Sequence, residues 1–447
     1  LIPVPALARY RERRERLIAT LNATGGGIAI IATAPEVSRN ADVTYPYRYD
    51  SHFHYLCGFP EPDAVLVVTG GAEPGSTLFC RAKNSERETW EGFRFGPEGA
   101  RASFALDTAL PIEELDLEMP RLIANQPAIH HTQQGNAAFE ARLARWLQAV
   151  RQDERNGVSC PTQFHDLRHV LGEMRLIKDA DEIDTMRRAA TISASAHVRA
   201  MRASRAGLYE YQIEAELIAE FRRLGAQAQA YPPIVAAGAN ACVLHYGQND
   251  QPLGDGQLLL IDAGCELDGY ASDITRTFPV NGRFSGAQRE LYELVLAAQA
   301  AALEQTRPGV SFNVPHDAAT RVLAQGMIDL GLLDGSLDGV LESGSYRRFY
   351  MHRTGHWLGR DVHDVGDYRE PAAPGSDLPR AWRTLAPGMT LTVEPGIYVR
   401  SDATTPERFW NIGIRIEDDV VVTSTGCDVL SHAVPKTVAD LEALMRD

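Results

Sequence analysis

Cysteine is scarce and scattered. The 447 residues hold six (Cys57, Cys80, Cys160, Cys242, Cys265, Cys427), none in a C-x-x-C pair. That excludes a disulfide framework and a zinc knuckle, and points to a reducing compartment. Long apolar runs are also missing. IAIIATA (28–34) and AVLVV (64–68) fall far short of the ~20 residues a bilayer span needs. The first residues, LIPVPALARYRERRERL, run from apolar into basic, the reverse of a secretory signal. A cytoplasmic protein without a membrane partner is therefore expected. Positive charge is outweighed: 44 Lys and Arg face 59 Asp and Glu, for a net charge of −15. An acidic surface repels phosphate backbones, so no nucleic-acid partner is expected. What is present is a globular balance, 44% apolar and 23% charged, at a length that suits two or three domains.

The chain changes texture near residue 175. Before it, a charged amphipathic helix (9–21), short all-apolar runs (GGIAIIATA, AVLVVTG), a third strand candidate (TLFCRAK) and a helix over 139–150 alternate. That pattern predicts a layered α/β domain over 1–174, with strands buried on both faces. SHFHYL reads as strand-like alternation that puts His52 and His54 on one side, in a structural role. His130 and His131 are also read as structural. After a polar segment (151–163), Asp179 and Glu182 form a capping box. Apolar positions from Ile183 to Met201 then recur at three and four residues, which predicts a helix with one buried face. A second helix stops at Gly225, and a third begins at Ser285 with Gln288 as its box partner. The stretches 205–225 and 307–331 resemble one another. Each is followed by a His, a Gly and an apolar strand ending in an acid, so two related halves around one centre are expected in 175–447.

The acids at those strand ends carry the chemistry. Asp262 ends QLLLID, and Asp273 returns to it across an Asp268-Gly269 turn signal. Glu394 ends MTLTVE. Glu417 lies in GIRIEDDVVV, where unbroken alternation puts Arg415 and Glu417 on one face. One strand-end acid is unremarkable. Four, in the same order in both halves, would repel unless divalent cations joined them. The Gly-rich stretch MHRTGHWLGRDVHDVG adds His352, His356 and His363. His356 is the expected ligand, with His352 and His363 behind it or facing substrate. His245, in VLHYG, precedes the first acidic strand and can face the same cavity. Four carboxylates neutralise two dications. An oxygen-rich set with one imidazole favours Mn²⁺ or Co²⁺, with Zn²⁺ possible.

These residues closely resemble the bacterial aminopeptidase P (Xaa-Pro aminopeptidase) group of the pita-bread metallopeptidases. The family's ligand order is Asp, Asp, His, Glu, Glu. It falls here on Asp262 in LLLIDAG, Asp273 in YASDITRTFPVNG, His356 in GHWLGRDVHDVG, Glu394 in LTVEPGIY and Glu417 in GIRIEDD. YPYRYDSHFHYLCGFPEPDAVLV and ERETWEGFRFGPEGA extend the likeness into the first part. One stretch departs: 367–389, after VHDVG, is longer than the family pattern. The resemblance implies a creatinase/aminopeptidase-like α+β fold over 175–447 with internal pseudo-two-fold symmetry. It also implies two divalent metals, release of the first residue from peptides with proline second, and a homo-oligomer.

The resemblance further assigns roles. Glu394 is the general base, His363 stabilises the oxyanion, and Asp262 meets the substrate amine. His245, His352, Arg415 and Tyr231 contact substrate, although Tyr231-Pro232-Pro233 reads equally as a rigid turn. Trp90 either packs structurally or reaches a neighbouring subunit. Prolidase, which shares both domains and the ligands, is the alternative activity. A catalytically inactive peptide-binding module is a remoter one, and it would show a missing ligand.

Overall fold

A computed structural model describes residues 4–132, 137–372 and 379–446. The chain forms two compact units, 1–171 and 172–447. The division falls inside the helix Leu167–Leu176.

The first unit is built on a six-stranded mixed sheet. Its strand order is Thr108–Pro111, Gly75–Cys80, Val65–Thr69, Ile28–Ala32, Ala128–His131, Gln163–Asp166. The all-apolar runs are its central strands. Ile28–Ala32 pairs antiparallel with Val65–Thr69 and parallel with Ala128–His131. Ile28, Ile30, Val65 and Val67 meet Leu115, Met119 and Ile123 of one helix and Leu143, Trp146 and Leu147 of another. The long N-terminal helix spans Val4–Ala23.

SHFHYL is not a strand. Asp50 accepts from the Phe53 N–H (2.8 Å) and caps a helix, Ser51–Cys57, that Gly58 ends at φ +70°. Residues two apart on a helix do not face each other, so His52 and His54 form no ligand pair; His54 stacks on Tyr49 at 3.7 Å. Trp90 is 82% exposed among the described residues.

The second unit repeats one arrangement. The helix pair Ala180–Ala203 and Glu210–Arg223 precedes the strand Leu258–Asp262, and the pair Gly286–Gln305 and Val314–Asp329 precedes the strand Thr390–Val393. The capping boxes at Asp179/Glu182 and Ser285/Gln288 both form. Leu258–Asp262 pairs antiparallel with Thr275–Pro279, Asp262 opposite Thr275. Thr390–Val393 pairs antiparallel with Asp418–Val422, Val393 opposite Asp418. Each half thus brings a strand-end acid to the start of its partner strand.

The halves are stitched by a buried ion cluster. Arg276, with no exposed surface, donates to Asp418 at 2.7 Å, and Lys436 reaches the same carboxylate at 2.6 Å. Burial works against the Asp418 charge, but these two cations overcome it and hold its carboxyl well below the usual range. No described helix is long and apolar enough to cross a membrane.

Candidate metal centre

Asp262 and Asp273 are joined by a hairpin. After Asp262 the chain leaves through Cys265–Leu267, turns at Asp268 and Gly269 (φ +51° and +75°), and returns through Tyr270–Ala271. Two consecutive left-handed residues are what a two-residue turn demands, and Asp-Gly supplies them. A Cβ at Gly264 would collide with the Ser272 carbonyl. Glycine there lets the returning chain close down, so Asp273 ends beside Asp262. The Asp273 N–H donates to both oxygens of Asp419 at 3.1 Å.

Glu417 reaches the same place by a route the alternation pattern does not give. The expected continuous strand over GIRIEDDVVV is broken into Ile412–Arg415 and Asp418–Val422, which belong to different sheets. At the break the Glu417 N–H donates to the Thr275 carbonyl (3.1 Å). The Thr275 hydroxyl donates to the Glu417 carboxylate (2.6 Å) and accepts from Arg415 Nε (3.2 Å). Arg415 also donates to Asp262 at 2.6 Å. One guanidinium therefore fixes Asp262 directly and Glu417 through Thr275.

His356 is oriented by its backbone. Its Nδ1–H donates to the Trp357 carbonyl (2.9 Å), which leaves Nε2 facing Asp273 (3.4 Å) and Glu394 (3.7 Å). Ligand atoms of Asp273, His356 and Glu417 lie within 4.8 Å of one another. Tyr231 places its hydroxyl between Asp262 and Asp273, 2.5 Å from the former and bonded to both.

His352 ends a second relay. Arg415 Nη1 donates to the Tyr398 hydroxyl (2.9 Å), and Tyr398 lies 2.8 Å from His352 Nε2. His352 Nδ1 donates to the Arg353 carbonyl at 2.7 Å. The geometry gives a neutral ring that accepts at Nε2, and burial, with Arg415 nearby, holds the His352 imidazole down at about 4.

The acids crowd one another. Burial, with Asp262 beside it, pushes the Asp273 carboxyl up. Burial and the charges of Asp273 and Glu394 push Glu417 well up. Burial lifts Glu394 to about 7 although His356 and Arg415 oppose it. His356 goes the other way: burial disfavours its charge, but the bond to Asp273 and the charge of Glu394 raise it to about 9. Such a cluster holds more negative charge than Arg415 compensates, and divalent cations suit it.

These groups share a cavity of about 530 Å³. Asp262, Asp273, His356, Glu394 and Glu417 line it with His245, His352, His363 and Arg415; Phe312, Tyr368 and Trp382 form its aromatic wall. Of the candidate site residues only Tyr231 is not part of the lining, and it touches two that are. The His363 ring sits 4.1 Å from that of His356.

Thr275, Tyr398 and Asp419 escape a reading of the sequence. Asp419 had a signal, the second Asp of EDD. Thr275 and Tyr398 had only their nearness to DITRT and EPGIY.

A sequence profile of metallopeptidase family M24 matches residues 184–424, and one of the aminopeptidase P N-terminal domain matches 10–130. The chain belongs to metallopeptidase family M24. Within M24, the Xaa-Pro aminopeptidase of Escherichia coli K12 is 42% identical over 98% of this chain and 97% of its own. The solved structure of Pseudomonas aeruginosa aminopeptidase PepP superposes with a TM-score of 0.95 at 49% identity, over 100% of this chain and 99% of that one. A zinc-substituted E. coli aminopeptidase P in complex with product gives 0.93 at 42%, covering 98% of each. The M24 fold accounts for the two halves and for the acids that meet between them.

Proposed function

We infer that the chain is an Xaa-Pro aminopeptidase, which hydrolyses the bond between a peptide's first residue and a proline in the second position. One observation carries this most directly. Four carboxylates and one imidazole converge on a cavity with an aromatic wall, in a chain similar over its whole length to Xaa-Pro aminopeptidases. That full-length likeness disfavours the prolidase alternative. All five ligand positions are intact, which disfavours an inactive binding module.

Asp262, Asp273, His356, Glu394 and Glu417 would hold two divalent cations. The oxygen-dominated donor set supports Mn²⁺, with Co²⁺ or Zn²⁺ as substitutes. When bound, the cations supply an acidified water and a Lewis acid for the substrate carbonyl.

The chain's own groups do the rest. Glu394, which lines the cavity beside His356, takes a proton from the attacking water and passes it to the leaving proline nitrogen. His363 donates to the oxygen that gains charge, with His245 at the rim beside it. Asp262, held by Arg415, receives the substrate's ammonium group, which restricts cleavage to the first bond. Proline offers no amide N–H, so its ring is read by shape; His352, held by Tyr398, and Arg415 form that wall. Tyr231 orients Asp262 and Asp273.

Six free cysteines support a cytoplasmic location. Exposed Trp90 and Phe93 support a homo-oligomer. The test of activity is a panel of Xaa-Pro and Xaa-Pro-Yaa peptides with Mn²⁺ and with EDTA. Release of the first residue from the longer peptides is expected, blocked by EDTA and by N-terminal acetylation. Rapid cleavage of dipeptides alone would return the prolidase reading.

A further inference from the structure

The described parts of 367–389, residues 367–372 and 379–389, reach the cavity through Tyr368 and Trp382. They run antiparallel: the Glu370 N–H donates to the Ala381 carbonyl and the Arg383 N–H to the Tyr368 carbonyl, both at 2.9 Å. This arm brings Tyr368 and Trp382 to the cavity wall beside Phe312 and Arg353. Phe312 contacts both, at 4.9 Å from Tyr368 and 6.2 Å from Trp382, ring centre to ring centre.

The Trp382 indole carries two cations. The Arg353 guanidinium lies 4.3 Å from its ring centre and that of Arg369 lies 3.4 Å away. Arg353 also donates to the side-chain oxygen of Asn313, whose amide nitrogen is held at 2.7 Å by Asp317. So Arg353 is braced by an aromatic face and a neutral amide, and among the described residues it makes no ion pair. Arg415, the other arginine of the lining, is engaged by Asp262. Arg353 is exposed; Asn313 engages its Nη2, and its Nη1 has no hydrogen-bond partner among the described residues.

The cavity thus has an acidic floor and a cationic rim. A short peptide has the matching polarity, ammonium at one end and carboxylate at the other. With its amine at the floor and its second residue against the His352 wall, the third or fourth residue reaches the rim. Each residue spans about 3.5 Å, and a cavity of about 530 Å³ holds a ligand of that size. A guanidinium presents two parallel donors to a carboxylate, and stacking on an indole keeps the fork in place before substrate arrives.

We propose that Arg353, stacked on Trp382 at the cavity rim, binds the C-terminal carboxylate of short Xaa-Pro peptides. This rests on the aminopeptidase reading and adds a length and terminus preference to it: tri- and tetrapeptides with a free C-terminus are the favoured substrates.

The experiment compares Ala-Pro-Ala with its C-terminal amide, using the Mn²⁺-loaded full chain. In the wild type the acid should have a kcat/KM about 10-fold above the amide, through KM, as expected for loss of a charge-assisted pair. In R353Q the ratio should fall to about one, and R353K, which keeps charge but loses the fork, should lie between. A wild-type ratio near one overturns the proposal, and so does a 10-fold ratio that survives in R353Q. Because each enzyme is its own control, a general loss of activity does not alter the ratio. If the wild type cleaves neither peptide, the aminopeptidase reading itself has failed, and that result differs from both of the others.

Discussion

The function proposed above gives Glu394 two duties at one carboxylate, ligand and base, and they can be separated by substitution. Glu394→Gln keeps the shape but cannot accept a proton. Turnover should fall ~10²–10⁴-fold, the usual cost of losing a positioned base, with KM little changed. Metal content measured in parallel decides the reading: a variant with full metal and near-normal kcat removes Glu394 from the base role. His197 allows a different test. It is fully buried, its Nε2 donates to the Ala263 carbonyl (3.0 Å), and its Nδ1 has no hydrogen-bond partner among the described residues. Burial holds its imidazole down at about 4, against ~6.5 for a free histidine. The unfolded chain therefore takes up a proton that the folded chain refuses, and stability falls as pH drops from about 6.5 toward 4. His316 and His352, also held at about 4, add in the same direction. Urea unfolding at pH 7 and pH 5 should show the loss, and His197→Asn should reduce its slope; an unchanged slope would assign the loss elsewhere. At this scale the residues readable in advance were those with unusual chemistry in a repeated position. Asp262, Asp273, Glu394 and Glu417 stood out because acids at the ends of apolar strands are costly, and His356 because it lies in a Gly-rich stretch with two other histidines. Thr275 and Tyr398 did not, because a hydroxyl's partner is set by tertiary contact alone.

Among the elements, those with a strong local signal were legible. The Asp179/Glu182 box, the Asp268-Gly269 turn and the all-apolar strands are decided by residues next to each other. SHFHYL and GIRIEDDVVV misled for related reasons. In the first, the Asp50 cap and Gly58 stop outweighed the alternation. In the second, Ile416 and Glu417 leave one sheet for another, and alternation over ten residues does not reveal such a switch. The Asp262–Asp273 hairpin depends on Gly264. Gly264→Ala places a methyl against the Ser272 carbonyl, and backbone cannot yield as a side-chain tip does. A loss of ~1–3 kcal/mol is expected, together with weaker metal binding as Asp273 moves. Thermal unfolding and metal titration check both, and a variant with wild-type affinity would separate the hairpin from the centre.

For the whole molecule, the order of the halves was readable from a weak repeat, while the way they meet was not. Arg276 and Asp418 lie on strands from different halves and are both without exposed surface. Nothing in a linear pattern marks them as a pair. The proposed ligand set crosses the same seam: Asp262 and Asp273 come from the first half, His356, Glu394 and Glu417 from the second. Seen as a polymer problem, cations bound by this set would be removable cross-links between chain segments far apart in sequence. A cross-link present only in the native state shifts the folding equilibrium by mass action, by about 2.7 kcal/mol when free metal is a hundred times its dissociation constant. The melting temperature should therefore rise with free Mn²⁺ along a logarithmic curve and fall on chelation. Proteolytic cuts that appear in EDTA should fall between the halves. A melting temperature indifferent to Mn²⁺ would mean that the Arg276–Asp418 cluster holds the seam without help.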